Sequence, residues 1–227
     1  DAERDYERLG FRQQIVSVPE GVRCKFYMRD PIEVLKLQLR SSRRQNTIYE
    51  YVREVNRRNE RIFKHPLSGK LASEGFPKIT EAIKRSTRPD VCWDTSLNNF
   101  FGAVQLYSDK SSTSLACNAM TFYPLHLTLL NFSHDLRRRL IQRGDTKVAF
   151  LPVYLSSTKD RMIPDRPLKM KILHKALEKP LKPIMEAAWT GFDFEDGESI
   201  PRRCFPCLGN YISDIPEGKD QIGRAHV

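Results

Sequence analysis

The sequence predicts an α/β (α+β) fold: a helical N-terminal region, then three antiparallel strands, a helix and a fourth strand. Three observations predict it. Apolar, β-prone runs recur at 100–107, 122–130 and 147–155, joined by links of about a dozen residues. A helical apolar stripe over 168–189 separates them from a further strand-like run at 204–212. Ahead of residue 98 the apolar spacing is helical instead.

The elements follow in order. Asp30-Pro31 before Ile32, Leu35 and Leu39 reads as a helix start, with Asp as cap and Pro at the first position. Ile48, Val52, Val55 and Ile62 predict a helix over 46–63, ended by His65-Pro66. The Gly/Pro/Ser-bearing stretch 66–89 holds one short helix around 79–84, and a boundary falls near 93–99. The strand at 100–107 runs into Ser108-Asp109. Leu173, Leu177, Leu181, Ile184 and Ala188 line one side of the long helix, which Pro180 and Pro183 are expected to kink or split. The acidic run 193–198 reads as an exposed turn, and the fourth strand, 204–212, runs into Ser213-Asp214.

Composition bounds the function. The 227 residues are 40% hydrophobic and 29% charged, enough to bury a core. No window approaches 18 uninterrupted apolar residues, so a membrane span is not expected. Five scattered cysteines argue against a disulfide scaffold. The net charge is +10, and the segment 36–64 alone holds 9 basic and 3 acidic residues, which suggests a nucleic acid or another anionic partner. On a helix, Arg53, Arg57 and Arg61 would share one face and could meet phosphates. The same residues also fit a solvated face on which Glu50 and Glu54 pair with Arg53 and Arg58.

An antiparallel trio followed by a helix and a strand returning parallel to the first is the RNase H-like order, and right-handed crossovers favour it. Asp109 and Asp214 would then meet at neighbouring strand ends, a geometry suited to two-metal phosphoryl transfer. Turn-forming aspartates are the plainer reading of the pattern alone.

Wording around these residues adds to the pattern. Leu106-Tyr107-Ser108-Asp109-Lys110-Ser111, Tyr123-Pro124-Leu125-His126-Leu127-Thr128, Asp135-Leu136-Arg137-Arg138, Val148–Tyr154 and Phe205–Glu217 resemble successive blocks of Plavaka-type DDE transposases. Upstream, Tyr27-Met28-Arg29-Asp30-Pro31 and Glu60-Arg61-Ile62-Phe63 resemble two more, so the likeness covers most of 22–217 in order. The resemblance implies a DNA transposase with an RNase H-like catalytic domain. Asp109 and Asp214 would be its first two metal-binding acids, with Mg²⁺ (or Mn²⁺) as cofactor and the nucleus as location. The third acid lies further downstream in the family. Ser111 stands for the usual Thr, and Cys204 and Cys207 replace apolar strand residues.

The expected division is a basic helical region at 1–98, a truncated RNase H-like catalytic domain at 99–220, and a sequencing-adapter read-through at 221–227. A chain beginning Asp1-Ala2-Glu3 is taken to have lost its true start. Arg53, Arg57, Arg61, Arg137, Arg138 and Arg139 are the candidate DNA contacts. The expected partners are DNA, as transposon ends and target, and no membrane; homo-oligomer formation is left open. A non-catalytic DNA-binding or assembly protein derived from a transposon is the alternative, and a stand-alone RNase H-like nuclease a weaker third. Cys204-Phe205-Pro206-Cys207 lacks a second ligand pair for zinc and falls in a strand, so structural cysteines are expected. His126 is assigned a packing or surface role.

Overall fold

The computed structural model describes residues 9–42, 47–50, 53–91, 93, 97–112, 121–138, 145–153 and 165–213. Strands β1 (Arg12–Ser17) and β2 (Arg23–Met28) form an antiparallel hairpin. Helix α1 (Pro31–Ser41) follows, with the Asp30 carboxylate accepting the Ile32 N–H at 2.8 Å and Pro31 at the first turn. This is the start that the Asp-Pro pair predicts. A small hairpin, β3 (Glu54–Val55) and β4 (Arg61–Ile62), leads through a 3-10 turn at Pro66–Ser68 and a π-helical turn at Leu71–Gly75 into α2 (Phe76–Arg85).

Next come β5 (Asn98–Ser108), the short pair β6 (Ser111–Ser112) and β7 (Thr121–Phe122), β8 (Pro124–Leu129), α3 (His134–Arg138) and β9 (Asp145–Phe150). Helix α4 (Asp165–Thr190), β10 (Phe192–Glu195) and β11 (Pro201–Ile212) complete the described elements. Seven strands make one mixed sheet in the order β1-β2-β9-β8-β5-β11-β10. β5 runs antiparallel to β8 and β8 to β9, whereas β11 lies parallel beside β5.

Alternation along β5 assigns its two faces. Phe100, Val104 and Leu106 enter the main core with Leu125, Leu127, Leu129 and Val148, where α1 contributes Leu35 and Leu39 and α4 contributes Leu173, Leu177 and Ile184. Phe101 faces the other way and packs with Phe205 and with Ile83 of α2, while Ala103 meets Leu67 and Ala72. Gly102 sits where the neighbouring strands leave no room for a side chain: a Cβ there would lie 2.6 Å from Cys204 Sγ and 3.3 Å from Leu129 Cδ2.

This architecture corrects the expected fold class. The N-terminal region is not helical ahead of a four-stranded domain, because β1 and β2 join the main sheet through Tyr27↔Phe150 and Met28↔Ala149. The helix expected over 46–63 does not form: Glu54–Val55 and Arg61–Ile62 pair as a hairpin, and Thr47 bridges Phe132. Tertiary contacts override the helical spacing there. Ile48 packs into the Leu67–Ala103 cluster, and Tyr49 stands edge-on to Phe100 at 4.9 Å. Asn56 and Asn59, weak helix formers that favour turns, occupy the hairpin loop.

Two further expectations change. Helix α4 runs unbroken through Pro180 and Pro183, so of the expected kink or split the split does not occur. The acidic run 193–198 is not simply a turn, since Phe192–Glu195 forms edge strand β10 and Asp196 is buried.

Candidate functional site

The site is built where β5 ends. The parallel register of β5 and β11 runs to Leu106↔Tyr211 and Tyr107↔Ile212, so the two strands finish side by side. The Ser108 and Tyr211 hydroxyls are hydrogen-bonded across this seam at 2.7 Å. Asp109 follows directly, half-buried. Among the described residues no ion pair neutralises its carboxylate. Asp214 stands two residues beyond Ile212 in the sequence, as Asp109 stands two beyond Tyr107; Asp214 itself lies outside the described residues.

A cross-strand row extends from this end. Tyr107 pairs with His126 of β8, and His126 pairs with Lys147 of β9. The Tyr107 and His126 rings lie 4.7 Å apart with a 35° tilt, and His126 Nδ1 is 3.0 Å from Asp145 Oδ2. Burial first, then the negative charges of Asp145 and Asp109, push the Tyr107 phenol above its usual value. Tyr107 thus links the field of the strand-end carboxylate to that of the His126–Asp145 pair. His126 has a side-chain partner that sequence reasoning missed. The period-two alternation that places Tyr107 and Asp109 on one face was readable, but the partner of His126 depends on the β8–β9 register.

The candidate DNA-contacting arginines are dispersed. Arg53 is exposed just before β3, Arg57 is exposed in the β3–β4 turn, and Arg61 is exposed on β4. The Arg61 guanidinium donates to the Ser68 carbonyl and lies 4.8 Å from the Phe63 ring centre. No helix face joins these three. The turn between them is nevertheless tightly organised. Asn56 Oδ1 accepts the Arg58 and Glu60 N–H groups, its amide donates to Glu60 Oε2, and Arg57 and Arg58 project at the tip. Arg137 is half-buried on α3, and burial lowers its guanidinium below the usual value. Arg138 belongs to α3 as well, and Arg139 falls outside the described residues.

Oxygen donors suit hard divalent cations. Asp109, a half-buried carboxylate with no ion-pair partner among the described residues, fits as one ligand of such an ion. Among the described residues no cluster of three or more His, Cys, Asp or Glu side chains is arranged to hold a metal. Cys204 and Cys207 lie within β11, as the strand reading expects. Burial raises the Cys204 thiol well above its usual value and pushes Cys207 up to about 12, which opposes thiolate formation at both positions.

A mixed sheet whose parallel strands β5 and β11 finish side by side, with Asp109 directly after β5, defines an α/β protein with its candidate site at the strand termini. The family model described as Plavaka transposase matches residues 7–219. The chain belongs to the Plavaka transposase family. No curated protein and no solved structure matches it. Among the described residues no helix is long and apolar enough to cross a membrane.

Proposed function

We propose that this chain is part of a transposase that cleaves and joins DNA strands in the nucleus, with Asp109 and Asp214 holding Mg²⁺ or Mn²⁺. The observation that supports this most is the side-by-side finish of β5 and β11. Continuing that register by two residues would set the second carboxylate beside the first. When bound, the divalent ions would supply activation of an attacking hydroxyl and stabilisation of the leaving oxygen. The chain's own groups do the rest. Asp109 supplies carboxylate oxygens, and the Ser108–Tyr211 hydrogen bond fixes the strand end that carries it.

In this reading Arg53, Arg57 and Arg61, with Arg58, present a basic hairpin to the DNA backbone, and Arg137, Arg138 and Arg139 add a second basic run. Asn56 holds out Arg57 and Arg58 without relying on a helix face.

The test is Mg²⁺-dependent nicking of supercoiled DNA by the purified chain, with Asp109→Ala and Asp214→Ala as separate variants. Each substitution is expected to abolish nicking. Nicking that survives both would refute the assignment of the two acids.

A further inference from the structure

A cleft of about 910 Å³ opens beside the Tyr107–His126–Lys147 row, lined by residues 9–12 at the start of β1, by Arg29 and Asp30 between β2 and α1, and by residues of α1, β8 and β9. We infer that this cleft receives a single DNA strand by its sugar–phosphate backbone, with Arg12 and Lys147 as the phosphate contacts. The inference rests on the DNA-handling reading above and deepens it by naming where a strand would lie.

Three features point to an anionic strand. First, the cationic and anionic groups of the lining differ in how far they are already engaged. Asp30 is tied to the Ile32 N–H at the α1 N-terminus, Glu33 pairs with Lys36 at 2.8 Å, and Asp145 pairs with His126 at 3.0 Å. By contrast Arg12 and Lys147 are exposed, and no ion pair engages either among the described residues. Arg12 and Lys147 thus keep side-chain donors available to an anionic group.

Second, the cleft adjoins the candidate catalytic end. His126 lines the cleft and also stacks on Tyr107, two residues from Asp109. On the sheet Tyr107, His126 and Lys147 are consecutive cross-strand neighbours, spaced by about 4.8 Å per strand. The register sets Lys147 on the sheet face of His126 and Arg12, opposite Met28, on the main-core face, so the cleft takes one cation from each side of the sheet.

Third, the size suits one strand. The volume falls in the range of roughly 300–1,000 Å³ usual for small-ligand sites, room for a few linked groups. The cleft wall includes Phe150, whose ring lies 5.2 Å from that of Phe11, and Arg29 caps the Phe11 ring at 4.3 Å. Phe11 is itself buried, which leaves the half-buried Phe150 as the more accessible ring of the wall.

The experiment is equilibrium binding of a short fluorescein-labelled single-stranded DNA to the full chain, by anisotropy in EDTA over a salt series. Arg12→Ala/Lys147→Ala is expected to weaken binding and to reduce the slope of log K against log salt by about 1.4, two phosphate contacts at about 0.7 each for a single strand. The control, Lys175→Ala/Lys179→Ala, removes the same charge from exposed positions on α4 that do not line the cleft. It is expected to leave the slope close to that of the parent. A double variant with the parental slope, or one matched by the α4 control, overturns the inference. So does an equal loss of slope on blunt duplex DNA of the same sequence. Metal and cleavage play no part in this assay. The slope difference is therefore read independently of whether the chain nicks DNA.

Discussion

Asn131 ties the N-terminal half to the centre of the sheet, and replacing it should loosen both. Its side chain is fully buried and makes three hydrogen bonds. Oδ1 accepts the Ala103 N–H at 2.8 Å, and Nδ2 donates to the Ile48 and Phe101 carbonyls, each at 2.9 Å. Asn131→Ala leaves a buried N–H bare, at a cost of about 1–3 kcal/mol, and removes two further bonds worth about 1 kcal/mol each. The sum, about 4 kcal/mol, is a large share of the roughly 5–15 kcal/mol that holds a typical protein folded. At about 2–4 °C per kcal/mol for a chain of this size, the melting temperature should fall by about 8–16 °C. Thermal unfolding followed by circular dichroism reads this directly. A fall of less than about 3 °C would show that the three bonds are replaced by water or by local rearrangement. Asn131→Asp separates the parts of the argument. It keeps an acceptor for Ala103 but sets a carboxylate against two carbonyl oxygens, so it should be no more stable than the alanine variant at neutral pH. Recovery of parental stability by the aspartate would refute the reasoning.

Two other outcomes follow from buried contacts. Gly102→Ala should cost about 1–3 kcal/mol by overpacking against Cys204 Sγ and Leu129; Gly102→Ala/Cys204→Ala should recover part of that loss in urea unfolding, and a double variant weaker than the sum of the singles would contradict the steric account. Burial opposes ionisation of Asp196, but the Arg202 guanidinium at 2.7 Å and the Ile200 and Glu198 N–H groups outweigh it and hold the carboxyl below its usual value. A depressed folded value stabilises the protein fully above the unfolded carboxylate pKa of about 3.9 and is lost as the pH falls through the folded value. The urea midpoint should therefore drop in acid, more steeply for the parent than for Asp196→Asn, and equal acid slopes would count against the pair.

Particular elements show what the sequence could and could not carry. The strands at 98–108, 124–129 and 201–212 and the helices at 31–41 and 165–190 lie close to the spans that apolar runs and the Asp-Pro cap indicate. They bury enough apolar surface for local pattern and tertiary demand to agree. The hairpin β1–β2 was also readable in principle, since Phe26 and Met28 alternate with outward residues and Gly21 adopts φ +79 in its turn. Its place in the main sheet was not, because only two residue pairs, Tyr27↔Phe150 and Met28↔Ala149, join it there. The segment 46–63 misled because a rough helical spacing coincides with residues that find partners far along the chain. Ile48 is fixed by Asn131, and Tyr49 is capped by the Arg202 guanidinium at 3.9 Å. For the site, the aspartates after β5 and β11 stood out as strand-end residues, whereas the His126–Asp145 pair and the cleft beside it exist only once β8, β9 and α1 are brought together.

The position of β11 between β5 and β10 has a consequence for how the protein is made. Its partner strand is far behind it in the chain, with Arg202 opposite Asn98. During synthesis, β5 emerges with Phe100, Val104 and Leu106 already apolar, yet its β11-side backbone groups have no strand to meet until Pro201–Ile212 follows. An unpaired, hydrophobic strand edge is a template for pairing with other chains, and contacts this distant in sequence form slowly. A nascent chain paused before Pro201 therefore holds an open β5 edge, and its exposure lasts as long as the pause. Closing of the sheet waits on β11, which carries its own edge partner, β10, beside it.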